Sequence, residues 1–383
     1  MIKSYIKIAF RNLTRSRVYS IINIGGLAIG MTVAILNGLW IWDELSFNKY
    51  FQRYDRIAQA AVSGVDNGES WVGTVMTYPL GTELITNHHE YFEHVVRTSW
   101  DGEYILSTGD KNLSCQGLYT DEDAPELFTF KMIHGSRNGL REPHSIMISN
   151  SFSKALFGDI DPVNKSIRIN NKTDVTIGGV YEDFPFNTNF YDVKFFGNWS
   201  LFLLDNPWIE ESALTDFRNH FIKVYVEIIP ETSFQLASER LKNIIKADPR
   251  DAERFTQQKR EFLLYPMADW HLFPYSQHGA VNLEPIRMIW MVGLIGCFVL
   301  ALACINFMNL STARSEKRAK EVGIRKTIGS VRGQLIIQFF SESVLVVVFA
   351  FTVSLVLVNT FLPWFNQVAG KQIEMPWMNA TFW

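Results

Sequence analysis

The sequence predicts an α-helical membrane protein with three transmembrane helices and one inserted α+β domain. Three observations predict it. Two long apolar stretches, 286–312 and 335–362, flank a strongly basic segment of 22 residues. A third apolar run fills 18–42. Between the first two runs along the chain, 44–285 is acidic, punctuated by turn residues and mixed in periodicity, as a folded domain would be.

The first 17 residues hold five cations and no acid. Lys3, Lys7, Arg11 and Arg15 recur every four positions, with Ile2, Ile6, Ala9, Phe10 and Leu13 on the opposite side. This pattern suits an amphipathic helix at the cytoplasmic membrane surface, or a basic flank that sets topology; the two are compatible. Residues 18–42 then form the first span. Its length, the flanking Trp40 and Trp42 and the absence of a small-x-small cleavage site distinguish it from a signal peptide.

Residues 44–285 carry 22 Lys/Arg against 34 Asp/Glu, a net of −12 concealed by the overall −3. Basic segments on one side and an acidic domain on the other follow the positive-inside rule with the domain outside. The acidic balance also excludes a nucleic-acid partner. Cys115 is the single cysteine of this domain, so no disulfide can form within it and its own core must hold it. Strand patterns run over 174–184 and 220–229, where Ile222, Val224, Val226 and Ile228 share one face. Helical spacing follows over 233–247, with Phe234, Ala237, Leu241 and Ile244 in one stripe. Residues 100–140 are richer in turns and less periodic, which leaves one lobe or two open.

The second and third spans, at about 1.5 Å per residue, reach roughly 40 Å each, enough for a ~30 Å hydrocarbon core. Between them 313–334 reads ARSEKRAKEVGIRKTIGSVRGQ, with seven cations and two acids. Such a loop stays in the cytoplasm. Ile324, Ile328, Val331 and Leu335 form an apolar seam beside the basic face, and Gly329-Ser330 is a plausible helix break. The segment is too small for an enzyme and the right size for a short helix that docks on a partner across the cytoplasmic surface. Glu342 falls at the cytoplasmic boundary of the third span, where an acid can brace the loop against a nearby cation. Asn23, Asn37, Asn306 and Asn309 suit interhelical hydrogen bonds.

Several strings resemble ABC-transporter permeases of the MacB/FtsX type: IGGLAIGM followed by WDELSF at the first span, then SIMISNSFSKALFGDIDPVNKSIRIN leading into IGGVYEDFPFNTNF. MADWHL precedes the second span, and INFMNLSTARSEKRAKEVGIRKTIGS and QFFSES follow. The likeness covers nearly the whole chain in order. Asn164 departs from it, standing in DPVNK where the family pattern has Gly.

The resemblance implies an inner-membrane, multi-pass subunit with a MacB-like periplasmic core domain. It also implies a separate cytoplasmic ABC ATPase, a second permease copy or half, and a periplasmic adaptor or hydrolase as partners. Motion rather than passage through the helices would link ATP to the periplasm. The 383 residues contain no G-x-x-x-x-G-K-[ST], so ATP and Mg would be held by the partner ATPase, with no cofactor in this chain. The coupling residues are then Glu321, Gly323, Ile324, Arg325, Lys326 and Gly329, with Arg325 and Lys326 pairing acids of the ATPase, and Glu342 is the membrane-boundary acid.

Neither a metal site nor a catalytic site emerges. His88, His89 and His94 cluster without an acid or cysteine at ligand spacing. His271, in the WHL string, suits a structural role at the domain–membrane junction. Asp121 with Asp123, and Asp159 with Asp161, read as solvated turns. Three functions remain: a permease that exports or extracts a lipophilic or peptide-like substrate, an FtsX-like regulator that activates a periplasmic hydrolase without transport, and a membrane-anchored receptor or enzyme with no ATPase. The size of the external domain favours the first. Related permeases continue beyond a segment like 363–383 into a fourth span, so the expectation is an N-terminal portion of a longer permease, inactive alone.

Overall fold

The computed structural model describes residues 17–246, 250, 252–276, 278–327 and 332–378. The amphipathic pattern of the first 16 residues therefore lies outside the described residues. Helix α1 spans Arg17–Leu45. The chain divides into two compact units, one of residues 46–285 and one of the flanking helical segments.

In the domain, β1 (Ile57–Asp66) and β2 (Glu69–Gly73) form a hairpin around Asn67-Gly68. Both turn residues have positive φ, 51° and 84°, as a two-residue turn matched to strand twist requires. β3 (Met76–Thr77) leads into α2 (Tyr78–Asn87), followed by β4 (Phe92–Thr98), β5 (Gly102–Thr108) and β6 (Lys111–Thr120). Next come α3 (Ala124–Leu127), β7 (Met132–Gly135), β8 (Ser145–Ser149), α4 (Asn150–Phe157) and β9 (Ser166–Ile169). β10 (Thr173–Tyr181), β11 (Val193–Asn198) and α5 (Trp199–Asp205) precede β12 (His220–Ile228), α6 (Phe234–Leu241), α7 (Ala252–Gln258) and β13 (Glu261–Pro266).

The pairings resolve these elements into two lobes. In one, β11, β8, β10, β9, β5 and β6 pair in a cycle, because β11 also bonds back to β6, so the six strands close into a ring. Closure removes free strand edges. Alternate residues point inward: Leu106, Cys115, Ile146, Ile148, Ile167, Val175, Ile177 and Phe195 are all buried in one core. Gly117 has no room for a side chain, since a Cβ there would run into the Phe195 ring. In the other lobe β4, β12, β1 and β13 pair antiparallel, with α2 against β4 and β12 and α6 against β13. A second core, rich in phenylalanine (Phe51, Phe128, Phe130, Phe184, Phe190, Phe196), draws on both lobes.

Three local findings differ from the sequence expectation. β12 is central, so both its faces are buried: Ile222, Val224 and Val226 on one, Tyr225 and Glu227 on the other. Glu227 is tolerated there because Arg53 and Arg56 reach it at 3.0 and 3.2 Å. Helix α6 is shorter than the 233–247 pattern; Ser233 caps it by accepting from the Leu236 N–H at 3.2 Å, and it ends at Leu241. Within the weakly periodic 100–140 lie β5 and β6, whose outward residues include the exposed Ile105 as well as Glu103 and Ser114 and whose inward ones include Gly117 and Cys115, a composition that blurs the alternation.

The helical unit continues with α8 (Glu284–Thr327) and α9 (Arg332–Ala369). Ser20–Leu45, Glu284–Ala313 and Phe339–Ala369 are each long and apolar enough to cross a bilayer. α9 accommodates Pro363 within its length and stops at Gly370, whose φ of 63° is the left-handed conformation that commonly ends helices. The helix thus extends past 362, where the apolar stretch ends. After Gly370 the chain turns back: Asn366 donates from Nδ2 to the Ile373 carbonyl at 2.9 Å and accepts from the Ile373 N–H at 3.0 Å. Ile373 is buried with Leu36, Leu39, Val358 and Leu362.

Candidate functional site

The basic segment between the second and third spans holds the predicted coupling residues, and its backbone is not that of a loop. α8 runs without a break from Glu284 through Thr327, 44 residues in all. The short helix lying across the membrane surface, expected from the sequence, is thus replaced up to Thr327 by an extension of the second span. The physical reason is visible in the residues. Ala313–Val322 are nearly all good helix formers, and Glu316/Lys320 and Glu321/Arg325 stand at the i, i+4 spacing that supports a helix. From Ala313 to Thr327 the rod projects roughly 20 Å past the apolar stretch.

Glu321, Gly323, Ile324, Arg325 and Lys326 occupy the last two turns of this rod. Ile324 is exposed, and a Cβ at Gly323 would meet open space. The side chains of Glu321, Arg325 and Lys326 lie outside the described residues, as do Gly329 and the rest of 328–331. Glu342 lies on α9, just inside the third apolar stretch, and is buried.

Small residues govern how the spans meet. Gly26 and Gly30, four apart on α1, face α8: a Cβ on Gly30 would collide with that of Ala303, and one on Gly26 would come within 3.3 Å of Asn306 Nδ2. Gly296 of α8 in turn faces Asn37, whose Nδ2 would be 3.2 Å from an added Cβ. This is the close helix approach that small-x-x-x-small spacing permits in a bilayer. Ala28 of α1 and Ala350 of α9, both fully buried, pack in the same cluster. Asn23 is a correction. Its amide is buried with no hydrogen-bond partner among the described residues, so the interhelical bond expected of it is not formed.

A charged cluster at the outer end of the unit was missed from sequence. Lys371 Nζ lies 2.9 Å from both Asp43 Oδ2 and Glu44 Oε1, all three side chains being 15% exposed or less. Burial lowers the lysine pKa, but hydrogen bonds to the two carboxylates outweigh it and hold the ammonium above its ordinary range. The only hint in the sequence was a pair of acids directly after a span. In the domain, His271 stacks on Phe47 at 3.8 Å, joining the first and last parts of that unit.

Comparisons with known proteins bear on this arrangement. Residues 20–244 match the family of the MacB-like periplasmic core domain, and 293–382 match the FtsX-like permease C-terminal region. The chain is 24% identical over 345 residues to the macrolide export ATP-binding/permease protein MacB of Neisseria meningitidis, covering 87% of this chain and 48% of that protein. It therefore spans about half the length of the curated relatives it matches. Among solved structures, a domain of a protein described as a permease from Porphyromonas gingivalis is similar at a TM-score of 0.45 and 19% identity, covering 63% of this chain and 98% of that one. The periplasmic region of MacB from Actinobacillus actinomycetemcomitans gives 0.38 and 14%, covering 55% and 88%. With a family match over more than half its length, three spans and a core domain of the periplasmic type, this multi-pass inner-membrane protein belongs to the MacB/FtsX family of ABC-transporter permeases.

Proposed function

We propose that this chain is the permease subunit that couples ATP hydrolysis in a separate cytoplasmic ATPase to movement of its periplasmic domain, and so exports or extracts a lipophilic or peptide-like substrate. The observation that carries the reading is the continuity of α8. A partner that grips Glu321–Lys326 holds one end of a helix whose other end, Glu284 and Pro285, is the last part of the periplasmic unit. The helix is unbroken over these residues, so a displacement at the cytoplasmic tip would be passed along it. Arg325 and Lys326 would pair with acids of the ATPase, and the exposed Ile324 would add an apolar contact.

The test is Arg325→Glu in the full chain, co-reconstituted with its ATPase in vesicles. The reversal touches no span, so insertion and the domain fold should persist while stimulation of ATP hydrolysis falls tenfold or more. Wild-type stimulation at full expression would make the segment a topological signal only.

A further inference from the structure

A cavity of 440 Å³ opens between the two lobes of the domain. The ring contributes Gln116 and Leu118 of β6 and the 189–193 approach to β11; the open sheet contributes Thr98, Tyr225 and Tyr265. Its volume is that of a small-molecule site, and its lining has two distinct sides.

One side is a file of aromatic rings. Phe190 lies 5.8 Å from Tyr225 between centroids, Tyr225 5.5 Å from Trp270, Trp270 6.5 Å from Tyr265 and Tyr265 4.8 Å from Tyr275. The rings are fixed from behind. Trp270 Nε1 donates to the Tyr265 carbonyl at 2.9 Å, and the Tyr265 hydroxyl donates to the Phe273 carbonyl at 3.2 Å. A wall held in this way pays little ordering entropy when a ligand arrives.

The other side carries charge. Asp101 and Asp192 line the cavity with a single cation, Lys223, which lies 3.4 Å from Asp101 Oδ1 and 5.2 Å from the centre of the Trp100 ring. The excess is one negative charge facing electron-rich ring faces, and both features attract a cation.

We propose that this inter-lobe cavity binds a cationic amphiphile, its apolar body along the aromatic file and its positive charge between Asp101 and Asp192. The assignment rests on the permease reading and names the substrate class for it. Both lobes line the cavity at the seam where Thr98 pairs with Thr120, which the Ser99 N–H to the Tyr119 carbonyl at 2.9 Å and the Asp121 N–H to the Arg97 carbonyl at 3.2 Å hold closed.

The experiment uses the full chain in nanodiscs of zwitterionic lipid, with matched empty nanodiscs subtracted, and two rigid probes of nearly the same shape and opposite charge, tetraphenylphosphonium and tetraphenylborate. Saturable, protein-dependent binding of the phosphonium alone is expected. The exposed pair Asp101→Asn with Asp192→Asn should weaken it at least tenfold, and Tyr275→Ala should weaken it independently, with unchanged circular dichroism in each case. No saturable binding, equal binding of the borate, or a loss below threefold in both variants would overturn the proposal. Lost ATPase stimulation in wild type with phosphonium binding intact would sink the permease reading and leave the cavity standing; the reverse result would remove the cavity alone.

Discussion

Asn164 shows how much one residue can settle. Its φ is 65°, and its N–H donates to the Ile177 carbonyl at 2.8 Å, locking the turn between α4 and β9 onto β10. Asn is among the few side chains that tolerate this region, so its place in DPVNK, where the family pattern has Gly, preserves the turn. Asn164→Gly should leave thermal stability of the full chain within about 0.5 kcal/mol, whereas Asn164→Val should cost about 1–2 kcal/mol; equal midpoints for the two would remove the left-handed turn. Cys115 makes a second residue-scale prediction. Burial inside the ring pushes its thiol up to about 12, with Lys194 pulling weakly the other way. Because the folded value lies above the unfolded one, the thiol favours the folded state fully below pH ~9, and that contribution fades as pH rises toward 12. At pH 8 iodoacetamide should leave Cys115 unmodified in the folded chain and alkylate it in denaturant, as mass spectrometry of its peptide would show. Glu227 is the residue sequence reasoning could not place. Alternation marks it as an outward, solvated acid, and only the covering of the second face of β12 by the phenylalanine-rich core buries it.

Among the elements, the proposed coupling rests on α8, which α1 crosses. The crossing depends on Gly30 having no side chain. Gly30→Ala should destabilise the helical unit by about 1–3 kcal/mol through overpacking against Ala303. Adding Ala303→Gly should recover most of that loss, read as the thermal midpoint in detergent. An undiminished loss in the double variant would mean that the two helices do not meet there. The Gly26-x-x-x-Gly30 spacing stands in the string IGGLAIGM, but only the packing shows that it faces α8, since the pattern says only that some backbone comes close. The basic segment shows the opposite case. Its composition marks a cytoplasmic location and its residues are good helix formers, but Gly329-Ser330 marks a break without showing how far the helix before it extends.

For the whole molecule, the charge partition predicts orientation and labelling checks it. With native cysteines replaced, single cysteines at Lys246 and Lys320 should behave oppositely in spheroplasts. Lys246 is 64% exposed on the periplasmic domain, so an impermeant maleimide should label that position from outside. Position 320 should react only once the membrane is opened. Outside labelling of 320 would reverse the topology and detach the basic rod from any cytoplasmic ATPase.

What the sequence determined by itself was the number of spans, the side on which the large domain lies and the absence of a P-loop within these residues, because hydropathy, cation placement and a phosphate-binding motif are local properties that a one-dimensional string carries in full. The tertiary structure alone decided the rest. Closure of six strands into a ring depends on β11 finding β6, nearly eighty residues earlier, on one side and β8 on the other. The burial of Glu227, the approach of Lys371 to Asp43 and Glu44, and the ring contacts of Tyr225 with Phe190 and Trp270 join residues far apart in the chain. Each is a long-range contact, fixed by which surfaces pack together, and no window of sequence contains both partners.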